Sequence, residues 1–365
     1  MGRNNWGYYK FSEIFTDVSR FGTKLPTREY LPRGKYPIVD QGKDEIVGYT
    51  DREAGLYIDT PILVFGDHTR IIKYVDYPFF LGADGVKLLK CTRHDVDYKY
   101  LYYCLKHLHI PDTGYNRHFK YLKEQVVPLP PLPEQRRIAA VLDQVSSLIA
   151  LRKAQLAKLD LLVKARFVEM CDSTGETTSL SYYIRSLVAG KSLVGKTTSI
   201  NKVLKTGAVT YDYFDATQIK NLPSEYEPQP EHLVRVNDVI ISRMNTSELV
   251  GAAGYVWRVP NNIYLPDRLW RVEPMDHTNP LFLWHLLIQQ STKNSIKKIA
   301  SGTSGSMKNI SKSGLLGIKV KKVDLETQNN FAKFAKQTNK SKVEIQQGLI
   351  QLETLKKSLM QEYFG

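Results

Sequence analysis

The chain is written twice, and that duplication constrains its fold more than any other feature. Asp84 in GADGVKLLK matches Asp267 in LPDRLWRVE at an offset of 183, and DYKYLYYCL, from Asp97 to Leu105, superimposes on NPLFLWHLL. Farther along, at an offset of 193, LPEQRRIAAVL from Leu132 lies over LETQNNFAKFA from Leu325, with Gln135 on Gln328, Ile138 on Phe331 and Leu159 on Leu352. Each copy is a mixed globular segment of roughly 130 residues, a common domain size, followed by a long helical pattern. The order globule, helix, globule, helix divides the chain into residues 1–131, 132–173, 174–323 and 324–365. A chain of 365 residues exceeds the size of a single core, which agrees with two domains.

The first helical stretch opens at PLPPLPEQ, where Pro133 can take the first helical position with Glu134 near the positive end of the dipole. Leu142, Ile149, Leu156, Val163 and Met170 then recur every seventh residue, and no Gly or Pro interrupts Glu134 to Asp172. In the second stretch Asp324 is the expected N-cap, and Phe331, Phe334, Ile345, Leu352, Leu355 and Leu359 keep a similar stripe, weakened by Thr338, Ser341 and Gly348. One such stripe serves an ordinary packed helix equally well. Two related stripes, one per repeat, predict that the helices pack on each other, Leu142, Ile149, Leu156 and Val163 against Phe331, Ile345, Leu352 and Leu359.

Within the globules, short β-rich runs such as TPILVFGDHTR (Thr60 to Arg70) and NDVIISRMN (Asn237 to Asn245) are bounded by turn residues. Tyr98 to Leu108 and Leu281 to Gln290 read as short helices. The expected fold class is α+β, with two repeated globules separated by an antiparallel pair of long coiled-coil-like helices.

Lys and Arg number 51 against 37 Asp and Glu, a formal charge of +14, which suits a polyanionic partner and makes nucleic acid the first suspect. From Ser291 to Val323 there are eight lysines and no acidic residue. The SGTSGSMKN loop in that run matches DTGYNRHF in the first copy, so Arg117, Lys120, Lys308 and Lys312 are the candidate phosphate contacts. The loops GDHTR and SRMNTS offer His68, Arg70, Arg243 and Asn245, side chains suited to base edges in the major groove.

Gly190 to Thr197, GKSLVGKT, satisfies the phosphate-loop pattern of nucleotide hydrolases. Its surroundings contradict the motif. TSINKVLKTG leaves room for only a short helix after Lys196, and the best apolar run ending in Asp, ILVFGD from Ile62 to Asp67, lies upstream in the other copy. SYYIRSLVAGKSL occupies the place of FSEIFTDVSRFGTKL in the first copy, so the octamer reads as an entry turn into the second globule, with Lys191 a candidate phosphate contact of another kind. Cys91, His94, Cys104 and His107 have a spacing that could hold zinc, but an offset of 183 sets Cys104 opposite Leu287 and His107 opposite Gln290, and the second copy has no cysteine. No metal site is expected. Three cysteines suit a reducing compartment, no run of 18 apolar residues exists and no secretory h-region opens the chain, so the expectation is a cytoplasmic protein with no membrane partner.

Two copies of globule and helix, with the segment P-L-P-P-L-x-E-Q-x-x-I-x-x-x-L-D at Pro130 to Asp143, resemble the specificity subunit of type I restriction-modification systems across essentially the whole chain. The second copy, KVKKVDLETQ, lacks the prolines of that segment. The resemblance implies two target-recognition domains, each taking one half of a bipartite target in double-stranded DNA, joined by helices that fix the spacing and dock methyltransferase subunits. It implies no catalysis and no cofactor in this chain. S-adenosylmethionine would sit in the methyltransferase partners, and ATP with Mg in a separate restriction and translocase subunit. No N-P-P-Y-type methyltransferase motif is present. A helix of about 38 residues spans about 57 Å, which bounds the imposed separation near 17 base pairs. The alternatives to a DNA-specificity subunit are a phosphate-loop hydrolase using Lys196 and a structural adaptor whose basic face is incidental.

Overall fold

The computed structural model describes residues 6–82, 84–172, 175–302 and 307–365. The duplication is visible strand by strand. In the first copy a four-stranded sheet runs in the order Phe15–Asp17, Val86–Cys91, Ile62–Gly66, Ile72–Val75, and in the second the order is Ile184–Val188, Leu269–Pro274, Val239–Ser242, Ala253–Tyr255. The strands Ile62–Gly66 and Val239–Ser242 are buried along their whole length, as continuous apolar runs in the middle of a covered sheet should be.

Each copy adds a three-stranded sheet with one antiparallel and one parallel neighbour to its middle strand. In the first these are Gly48–Thr50, Tyr36–Val39 and Phe80–Leu81, and in the second Ile219–Asn221, Lys202–Leu204 and Ile263–Tyr264. An opening strand closes each globule by pairing with the strand that leads into the long helix: Gly7–Lys10 with Val126–Leu129, and Thr177–Ser179 with Lys319–Lys321.

The short helices are Tyr98–His107 and Pro280–Ile288, capped by the side chains of Asp97 and Asn279. Those caps correct the register of this segment to an offset of 182, which puts Cys104 opposite Leu286 instead of Leu287. Cys104 is fully buried, and burial pushes its thiol pKa up. It behaves as a small hydrophobe. Among the described residues no group of His, Cys, Asp or Glu is arranged to hold a metal ion. A further helix, Gln290–Ile299, was not expected from the sequence: in it Thr292 and Ile296 turn inward while lysines occupy the other face.

The long helices are Leu132–Asp172 and Leu325–Phe364. Pro133 is the second helical residue, not the first, and Asp324 caps the other helix by accepting the Thr327 N–H at 2.8 Å. The chain divides into two compact units, residues 1–154 with 346–365, and residues 155–345. Each contains one globule and an antiparallel stretch of the helix pair.

In the first unit Ile138 and Leu142 enter the globule's core, and Leu359, Tyr363 and Phe364 pack against the same core. Ile149 and Leu352 are half-buried there, and Lys153 pairs with Glu353 at 2.8 Å. In the second unit Val163, Phe167 and Phe331 share a core, with the rings of Phe167 and Phe331 edge-on at 5.0 Å. Leu156 and Ile345 are half-buried in that unit, and Asp160 pairs with Lys342. Among the described residues no helix is long and apolar enough to cross a membrane.

Candidate nucleic-acid interface

In each unit the turn after the buried strand meets the loop that precedes the last short helix. In the first, the backbone N–H of His118 donates to the Asp67 carbonyl at 2.7 Å, and the Asp67 carboxylate accepts the Phe119 N–H at 2.8 Å. In the second, the Ile310 N–H donates to the Arg243 carbonyl at 3.0 Å, and Met244–Asn245 pairs with Lys308–Asn309 as a two-residue ladder. Asp67 and Arg243 are equivalent: their own N–H groups donate to Gly85 and Arg268, each the residue after the aspartate matched between the copies. The four loops singled out in the sequence therefore come together two by two. Thr303 to Ser306 of SGTSGSMKN lie outside the described residues.

The first unit presents a polar cleft of about 650 Å³ lined by Arg20, Lys24, His68, Asp84, Lys87 and Arg117 among others. His68 is fixed by its N–H on Gln41 at 3.1 Å and by stacking on Tyr115, ring centroids 4.8 Å apart. Gln41 also donates to the Asp84 carbonyl at 2.9 Å, so one amide ties two walls of the cleft. Gly85, at φ +86°, leaves room for His68, whose Cδ2 would lie 2.7 Å from a Cβ there. Lys24 pairs with Asp84 at 2.9 Å and holds that carboxyl below the usual range.

Not every expected contact is free to meet DNA. Arg70 sits at φ +61°, and its guanidinium is held by Asp112 at 2.6 Å and the Ile110 carbonyl at 3.3 Å. The Asp112 carboxyl lies below its usual range, through the Gly114 N–H first and Arg70 second. Arg117 and Lys120 are exposed. Sequence reasoning missed Arg20, Lys24 and Lys87. Lys24 could have been found from the entry loop it shares with the match of Lys191, which falls one residue earlier at Thr23.

In the second unit Arg243 lies over the Trp270 ring at 5.2 Å, and the Asn245 amide oxygen accepts the Thr246 N–H at 2.9 Å. Lys308 donates to the Gly302 carbonyl and Lys312 to the Leu187 carbonyl, each at 2.7 Å, while Lys191 is exposed. Three other lysines of the basic run are neutralised from a distance in sequence, Lys293 by Asp212, Lys297 by Glu248 and Lys322 by Glu176.

GKSLVGKT forms no phosphate loop. No helix starts at Lys196; the chain passes through bends into the strand Lys202–Leu204. Its glycines serve packing: a Cβ on Gly190 would lie 1.9 Å from the Leu265 oxygen, and one on Gly195 2.4 Å from the Leu222 oxygen. Ser192 hydrogen-bonds Asp267, just as Lys24 of the first entry loop pairs with Asp84. The hydrolase reading is withdrawn.

The family described as "Type I restriction modification DNA specificity domain" matches residues 3–161 and 191–354. The chain is 28% identical over 145 residues to the EcoR124I/EcoR124II specificity subunit of Escherichia coli, a match spanning 36% of this chain and 36% of that relative. Its fold is similar to the S subunit of the type I restriction-modification system from M. genitalium, with TM-score 0.62 and 18% identity over 100% of this chain and 98% of the other. A chain from a structure of type I system complex assembly and conformational transition gives TM-score 0.52 at 17% identity, covering 99% and 98%.

Proposed function

The chain belongs to the family of type I restriction-modification DNA specificity domains, of which it carries two, and on that footing we propose that each domain takes one half of a bipartite target in double-stranded DNA. The observation that carries this is the recurrence, on two copies of one topology, of the same paired loops with different side chains on them. A shared scaffold with divergent loops suits two different half-sites.

Phosphate contacts from Lys120, Lys191, Lys308 and Lys312 would position each domain, and groups nearer the loop junctions would select bases. The long helices would set the distance between half-sites and offer their outward faces to methyltransferase subunits, where exposed Leu151, Leu161 and Ile350 lie. S-adenosylmethionine, ATP and Mg would be held by those partners and by a restriction and translocase subunit, the whole assembly working in the cytoplasm.

The test is methyl transfer by the methyltransferase subunits to host DNA, with and without this chain. Transfer that requires the chain supports the proposal. Equal transfer in its absence overturns it.

A further inference from the structure

The cross-loop hydrogen bond is kept in both domains while the chemistry on either side of it changes. On one side stand Asp67 and Arg243, whose carbonyls accept the bond. On the other, immediately before the donating residues His118 and Ile310, stand Arg117 and Asn309. The strands leading in are in the same register, Gly66 opposite Val86 in one domain and Ser242 opposite Leu269 in the other. The scaffold thus delivers two side-chain positions to the same place twice, an acid and an arginine in one domain, an arginine and an amide in the other.

Their partners differ as well. The Asp67 carboxylate turns inward to the Phe119 N–H, and Asp67 is only 4% exposed, so in the first domain the outward member of the pair is Arg117, beside Asp84. In the second domain three buried polar atoms around this junction have no hydrogen-bond partner among the described residues: Nε of Arg243, Oδ1 of Asn309 and Nε1 of Trp270, the indole on which Arg243 rests. Burying such groups unpaired is costly, and native interiors tolerate few of them. A junction that concentrates them is poised to rearrange onto a ligand rich in acceptors and donors.

Building on the bipartite reading above, we propose that this pair of positions, Asp67 with Arg117 and Arg243 with Asn309, decides which bases each domain accepts, and that Arg243 takes a guanine. A guanidinium whose carbon lies 5.2 Å from the indole centroid is confined on one side by that ring, and its donor fork matches guanine O6 and N7. The Asn309 amide supplies the acceptor that an arginine lacks and suits an adjacent adenine. Arg117, expected from the sequence to hold a phosphate, becomes the selecting residue of the first domain.

The experiment uses the full chain assembled with its methyltransferase subunits, and measures methyl transfer to duplexes carrying the natural target and every single-base variant of it. Arg243→Gln and Arg243→Lys should each relax discrimination at one guanine of the second half-site by roughly 5- to 100-fold, and Asn309→Ala should relax a neighbouring position. Arg117→Gln should relax the first half-site alone. The lysine variant keeps the charge, so discrimination lost in a complex that still methylates the natural target reports the fork. Uniform loss across all duplexes, or discrimination unchanged by the substitutions, overturns this inference while leaving a bipartite target intact. A natural target without two parts overturns the underlying reading instead.

Discussion

Gln135 and Gln328, 193 residues apart, make the same three hydrogen bonds. Gln135 accepts the Asp97 N–H at 2.9 Å and donates to the carbonyls of Asp95 at 3.1 Å and Pro130 at 2.8 Å. Gln328 accepts the Asn279 N–H at 2.9 Å and donates to His277 at 3.3 Å and Val323 at 2.9 Å. Both are 1% exposed. In each unit one buried amide clamps the cap of a short helix to the entry of a long one. Because truncation leaves buried backbone groups unpaired, Gln135→Ala and Gln328→Ala should each cost about 2–4 kcal/mol in urea unfolding. A cost below about 1 kcal/mol for both would contradict the clamp.

The two glutamines also show what the sequence could yield. Their match was legible because the segment around them repeats with apolar periodicity, and the same periodicity exposed both long helices. Four of their six bonds were not legible, since those partners lie about 40 to 50 residues away and no local pattern reports that distance. The basic run after Ser291 shows the same limit. It holds no acid of its own, yet Asp212, Glu248 and Glu176 come from three other segments to pair with three of its eight lysines. Arg70 and Arg243 looked alike as loop arginines. Only the folded chain separates the first, pinned by Asp112, from the second, resting on Trp270.

The octamer GKSLVGKT makes a contrasting pair of substitutions informative. Gly190→Ala forces a Cβ onto the Leu265 oxygen, a backbone atom that cannot give way cheaply, and should destabilise the fold by about 1–3 kcal/mol. Lys196→Ala should leave both stability and ATP turnover where they were, the turnover of the purified chain being nil in either form. ATP hydrolysis lost on Lys196→Ala would restore the hydrolase reading.

His285 gives the second unit a dependence on pH. Its ring lies 4.9 Å from Phe331 and 4.5 Å from Trp284, and burial, aided by the charge of Lys342, pushes its pKa down to about 3. The folded imidazole is therefore neutral while the unfolded one takes a proton near pH 6.5, so stability falls as pH drops from 6.5 toward 3, by up to about 1.4 kcal/mol per unit. His285→Phe should remove that slope in urea titrations between pH 7 and 5. An equal slope in both forms would place the effect elsewhere.

Lys120, in the short helix Phe119–Lys123, and Lys308, in the strand just before the matching helix of the second domain, are proposed phosphate contacts. Lys120→Ala and Lys308→Ala should weaken binding of the assembled complex to all duplexes alike, and each should lower the slope of log affinity against log salt by roughly one unit. A base-specific effect from either would mean that phosphate positioning had been assigned to the wrong side chains.

Sequencing of methylated bases across the host genome, with the chain intact and with it deleted, bears most directly on two domains reading two half-sites. One methylated motif should be present only with the chain, and it should consist of two specified parts separated by an unspecified gap. A methylome unchanged by the deletion in a host that expresses the methyltransferase subunits, or a dependent motif that is continuous, would contradict it.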